Sequence, residues 1–116
     1  MHIPALIVSI IFSAMSATAA EITITTSSHE DVQRSRILYD CGGRGIPVEY
    51  INTGPVSLAV LEIDGETVVA SNVFAASGAK YAGGPYVWWT KGDAADLYDV
   101  MKGGMEAEPL SCVSKG

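Results

Sequence analysis

The chain has 116 residues, with Lys and Arg together numbering 7 against 13 Asp and Glu, for a net charge of −6. That length bounds it to one small domain, and the acidic balance argues against nucleic-acid binding, which needs clustered cations. Cys41 and Cys112 lie 71 positions apart and His29 is the only histidine beyond the first twenty residues, too little for a structural zinc set, so neither a metal nor a cofactor is expected.

Residues 1–20 read MHIPALIVSIIFSAMSATAA. An apolar run over 5–12 precedes the small residues Ala17, Thr18, Ala19 and Ala20, the pattern of an export signal and its cleavage site. The strict A-x-A match, Ala17-Thr18-Ala19, cuts before Ala20, whereas Thr18-Ala19-Ala20 cuts before Glu21. The apolar run falls well short of the roughly 20 residues a spanning helix needs. No cysteine stands near the cleavage site to carry a lipid. The expectation is a signal peptide and a mature protein without a membrane anchor, exported to the periplasm. In that oxidising setting Cys41 and Cys112 are expected to form one disulfide.

Residues 21–26, EITITT, alternate β-branched side chains at period two and predict a short strand. As an exposed edge it could pair with a second copy and make a homodimer. Residues 27–35 form a polar linker that holds His29, and the folded domain is expected over 36–116. A strand at 36–41 leads to a turn of Gly42, Gly43, Arg44 and Gly45, and 46–52 returns with Ile46, Val48 and Tyr50 on one face. After the reversal at Thr53-Gly54-Pro55, the apolar run 56–63 reads as a central strand. Asp64-Gly65 is a strong hairpin signal, followed by strands over 66–70 and 72–75, a bend at Ser77-Gly78, a strand over 85–90 and a turn at Lys91-Gly92-Asp93. Local propensity at 93–101 favours a two-turn helix, with Asp93 as N-cap and Leu97, Val100 and Met101 at helical spacing. A last strand over 105–112 would carry Cys112 back to Cys41. Turn residues every eight to twelve positions or so imply an antiparallel barrel or sandwich.

Enzyme chemistry finds little support in these residues. His29 would be the sole base of a hydrolytic triad and no G-x-S-x-G surrounds a serine. The turn CGGRG lacks the Lys-Ser/Thr of a phosphate-binding loop. What remains is a binding surface on the stretch 77–92, SGAKYAGGPYVWWTKG, where Tyr81, Tyr86, Trp88 and Trp89 crowd beside Lys80 and Lys91. In a strand Trp88 shares a face with Tyr86 and Thr90 while Trp89 shares the other with Val87. One of the two is expected in the core, and the sequence leaves open which.

Two motifs in this stretch are specific. S-G-x-x-Y is met by Ser77, Gly78 and Tyr81, and Y-x-x-x-T-K-G by Tyr86, Thr90, Lys91 and Gly92. Together they resemble the inhibitors of c-type lysozyme of Gram-negative bacteria, a family with membrane-bound lipoprotein and free periplasmic members. The resemblance runs from Tyr39-Asp40-Cys41 through Cys112. It implies an all-β fold, a small antiparallel barrel of about eight strands, with a Cys41–Cys112 disulfide and with strand rather than helix at 93–101. It also implies that Ser77 and Lys91 face the two catalytic carboxyl groups of a c-type lysozyme. Gly78, Lys80, Tyr81, Tyr86, Thr90 and Gly92 complete the implied lysozyme-binding set, with Tyr81 and Tyr86 bracing the loops from beneath. Against a basic host enzyme the acidic surface would steer association. The alternative reading is a non-catalytic periplasmic module whose Trp-rich face holds a glycan or a protein.

Overall fold

In the computed structural model, which describes residues 2–11 and 19–116, eight antiparallel strands close into an up-and-down barrel. They are β1 (Gln33–Cys41), β2 (Arg44–Thr53), β3 (Val56–Ile63), β4 (Glu66–Val73), β5 (Ala79–Gly83), β6 (Tyr86–Lys91), β7 (Ala94–Asp99) and β8 (Leu110–Ser114). Each strand pairs with its sequence neighbours, and β1 meets β8 to close the ring. A 3-10 turn at Gly104–Glu106 lies in the β7–β8 connection.

Period-two patterning drives this arrangement, because alternate side chains enter the barrel and the rest meet water. Ile46 and Val48 on β2, Ala59, Leu61 and Ile63 on β3, and Ala95 and Leu97 on β7 are all buried. The β3–β4 hairpin turns through Asp64 and Gly65, both at positive φ (51° and 80°), a backbone that matches the right-handed twist of the flanking strands.

Trp88 is completely buried at 0% exposure and forms the centre of the core. Its ring meets Tyr39 edge to face at 4.9 Å between centroids, and its indole N–H donates to the Tyr50 hydroxyl at 2.9 Å. The Tyr50 and Tyr39 hydroxyls are in turn hydrogen-bonded at 2.8 Å. A polar chain therefore joins β6, β2 and β1 inside the barrel, and among the described residues no buried side-chain polar atom lacks a partner. Burial raises the pKa of both hydroxyls above the usual tyrosine range.

Closure is thin at one seam. β1 and β8 share two paired positions, Tyr39↔Ser114 and Asp40↔Val113. The Cys41–Cys112 disulfide, 2.04 Å between sulfurs and bridging 71 positions, ties these strands beside that ladder. At the far end of β2 the incoming chain clasps the barrel. The buried Thr53 hydroxyl donates to the Glu30 carbonyl at 3.0 Å, and the Gly54 N–H donates to the Glu30 carboxylate at 3.0 Å.

Several expectations change against this fold. Residues 21–26 are not a strand: Ile22 and Ile24 are 82% and 62% exposed, so their alternation has no core to bury against. The paired strand begins at Gln33 instead of 36. Arg44 and Gly45 belong to β2, leaving Gly42 and Gly43 as the turn. The two strands expected over 66–75 are one, β4. Between the expected bend at Ser77-Gly78 and the strand over 85–90, a further strand is present as β5. Residues 93–101 hold β7, as the family resemblance implies and against their local helical pattern. The last strand starts at Leu110, not 105. Part of the expected signal segment, residues 1 and 12–18, lies outside the described residues.

Candidate functional site

The β4–β5 connection and the β6–β7 turn come together at one end of the barrel. Register sets this up: Ala79 opposes Thr90 on the β5–β6 ladder, which places Ser77-Gly78 alongside Thr90-Lys91. A Cβ built on Gly78 would lie 2.1 Å from the Thr90 carbonyl oxygen and 2.9 Å from Lys91 Cγ. The backbones therefore touch, and Gly78, at φ 67°, suits both that approach and the left-handed backbone. The Thr90 hydroxyl donates to the Ala79 carbonyl at 3.3 Å. Lys91 ends β6 and pairs with Ala94 across the two-residue turn Gly92-Asp93.

Ser77 and Lys91 are both exposed. On the outer wall behind them, Lys80 opposes Trp89 across the ladder. The ammoniums of Lys80 and Lys91 lie 4.8 and 4.7 Å from the Trp89 ring centroid. The Trp89 indole N–H donates to the Ser77 carbonyl at 2.8 Å. Among the described residues neither lysine enters an ion pair. The site thus offers one hydroxyl and two cations on a rim braced by an aromatic ring, a chemistry suited to carboxyl groups.

Residues 39–106 match the family described as membrane-bound lysozyme-inhibitor of c-type lysozyme, more than half of the chain. The chain belongs to that family. The membrane-bound lysozyme inhibitor of C-type lysozyme from Pseudomonas aeruginosa is 51% identical over 76 residues, which are 64% of this chain and 60% of the relative. Its counterpart from Cupriavidus necator is 43% identical over 81 residues, 68% of this chain and 65% of the relative. The chain therefore spans less than two thirds of the length of these two relatives. A crystal structure of Pseudomonas aeruginosa MliC in complex with hen egg white lysozyme matches the barrel with a TM-score of 0.70 at 36% identity, covering 86% of this chain and 99% of that one. The family is one of inhibitors, not of enzymes.

The residues singled out by the two family motifs fall into two groups. Ser77, Gly78, Thr90, Lys91 and Gly92 gather at the loop pair, with Lys80 beside them on β5. Tyr81 instead faces inward at 6% exposure and packs against Tyr50, with ring centroids 5.8 Å apart. Tyr86 is half-buried against the core. Tyr81 lies in mid-strand opposite Trp88, whereas Tyr86 opposes Gly83 and Asp99 at the end of β6 away from Lys91, so Tyr86 does not brace these loops as expected. Two residues beside these loops lie outside the implied lysozyme-binding set. Trp89 was named among the aromatics of the binding stretch, with its burial left open. Phe74, 94% exposed, sits three residues before Ser77 in the apolar run Val73-Phe74-Ala75-Ala76. An apolar run leading into a Ser-Gly bend was the signal that could have found it.

Proposed function

We propose that this protein inhibits c-type lysozyme by seating Ser77 and Lys91 in the enzyme's active-site cleft. The observation that carries this reading is the contact of the two loops, with Gly78 pressed on the Thr90 carbonyl, in a chain whose relatives are named as inhibitors of that enzyme. Lysozyme works with one protonated carboxylic acid and one ionised carboxylate. A hydroxyl can donate to or accept from either form, and an ammonium forms a charge-assisted hydrogen bond with the ionised one. Ser77 and Lys91 supply these two groups from adjoining loops. Lys80 adds positive potential at the rim, and exposed Phe74 gives the same end of the barrel an apolar contact.

The rest of the chain serves delivery. Residues 1–20 act as an export signal, cut before Ala20 or Glu21, and the mature domain works in the periplasm, where it shields peptidoglycan. Its net charge of −6 accelerates encounter with a basic enzyme through long-range attraction. A turbidity assay tests the reading: hen lysozyme clears a cell-wall suspension, and the purified mature protein is added at increasing concentration. Lysis is expected to be suppressed at micromolar protein or below. Lysis unchanged at that concentration would contradict the proposal and leave a periplasmic binding module in its place.

A further inference from the structure

Trp89 touches both loops of the site. Its position follows from the barrel: on β6, Trp88 points inward and fills the core, so its neighbour must point outward. There Trp89 lies between Lys80 on β5 and Asp96 on β7 across the two ladders. The connection over 74–78 has no strand of its own, and the Ser77 carbonyl receives its hydrogen bond from the Trp89 indole N–H at 2.8 Å. The ring of the same side chain holds the Lys91 ammonium at 4.7 Å and the Lys80 ammonium at 4.8 Å.

We propose that Trp89 is a positioning residue that couples the Ser77 loop to the Lys91 side chain, fixing hydroxyl and ammonium at one separation before the partner arrives. The inference rests on the reading of this end of the barrel as the lysozyme contact. Lysine carries a flexible four-carbon stem and a short irregular loop has many conformers, so each would lose freedom on entering a cleft. An indole addresses both at once, because its edge donates a hydrogen bond while its face attracts a cation. Phenylalanine offers the face without the donor, and leucine offers neither. The two substitutions therefore separate the two roles.

The test has two arms, the first without lysozyme. Backbone ¹⁵N relaxation of the free mature protein is measured at Ser77, Gly78 and Gly92 in the wild type, Trp89→Phe and Trp89→Leu. Trp89→Phe is expected to raise mobility at Ser77 and Gly78, and Trp89→Leu at all three, with thermal midpoints little changed because Trp89 lies outside the core. In the second arm, dissociation constants for hen lysozyme are expected to rise about tenfold for Trp89→Phe. The loss should be non-additive with Ser77→Ala, since removing the hydroxyl removes what Trp89 positions. Unchanged mobility in both variants would reduce Trp89 to surface cover and overturn the inference, and so would strictly additive losses. If the wild type fails to bind lysozyme at all, the functional reading falls while the relaxation arm still decides the role of Trp89. If Trp89→Leu does not fold, Trp89→Phe alone decides it.

Discussion

Gly78 shows how one atom decides whether the site forms. A methyl group there would meet the Thr90 carbonyl at 2.1 Å, and a residue with a Cβ at φ 67° carries a further backbone cost of roughly 1–2 kcal/mol. Gly78→Ala should therefore push the Ser77 loop off β6 and raise the inhibition constant about tenfold or more, while circular dichroism still reports a folded barrel. Tyr50 plays the matching part inside. Replacing it with Phe removes the acceptor of the buried Trp88 N–H and should cost about 1–3 kcal/mol in urea unfolding. At this scale the sequence was legible only in part. The motifs singled out Ser77 and Lys91, which the fold brings onto adjoining loops, and alternation showed that Trp88 and Trp89 must part. Which one entered the core depended on the pairing of Trp88 with Tyr81 and on its contact with Tyr39, both set by residues distant in sequence.

Strands were legible where alternation met a partner, and misread where local signals stood alone. Residues 21–26 have a strand's pattern but nothing to bury it against. β7 has a helix's cap and spacing, yet its Ala95 and Leu97 fill the barrel at period two, and tertiary packing overrides a preference worth only tenths of a kcal/mol per residue or so. β5, AKYAG, is poor in β-formers and is held by pairing along its whole length with β6. The contact among β1, β2 and β6 also carries a pH signature. Burial raises the Tyr39 and Tyr50 pKa values above 10.0 in the folded state, so above that pH the unfolded chain loses protons that the folded chain retains. Stability is then full below about pH 10 and falls as pH rises further. Urea midpoints should drop as pH rises above about 10, and absorbance at about 295 nm should show these two hydroxyls ionising only with unfolding. Ionisation of all five tyrosines in the folded protein would contradict the buried chain.

For the molecule as a whole, the barrel is a frame that holds two loops together, and its weakest closure is chemically reinforced. The β1–β8 ladder has two paired positions, and the disulfide beside it closes a loop of 71 positions. Reducing it should lower stability by about 4–5 kcal/mol, seen as a fall in the urea midpoint with dithiothreitol. The pairing of Cys41 with Cys112 could be read from composition and compartment, whereas the short seam it protects could not, because strand shear is a property of the closed ring. In the proposed complex a hydroxyl and an ammonium on touching loops meet the two catalytic carboxyl groups of lysozyme. Calorimetric titration of hen lysozyme with the wild type, Ser77→Ala and Lys91→Ala tests this contact most directly. Lys91→Ala is expected to weaken binding by about 2–5 kcal/mol and Ser77→Ala by about 1 kcal/mol, whereas full-strength binding by both variants would place the contact elsewhere on the barrel.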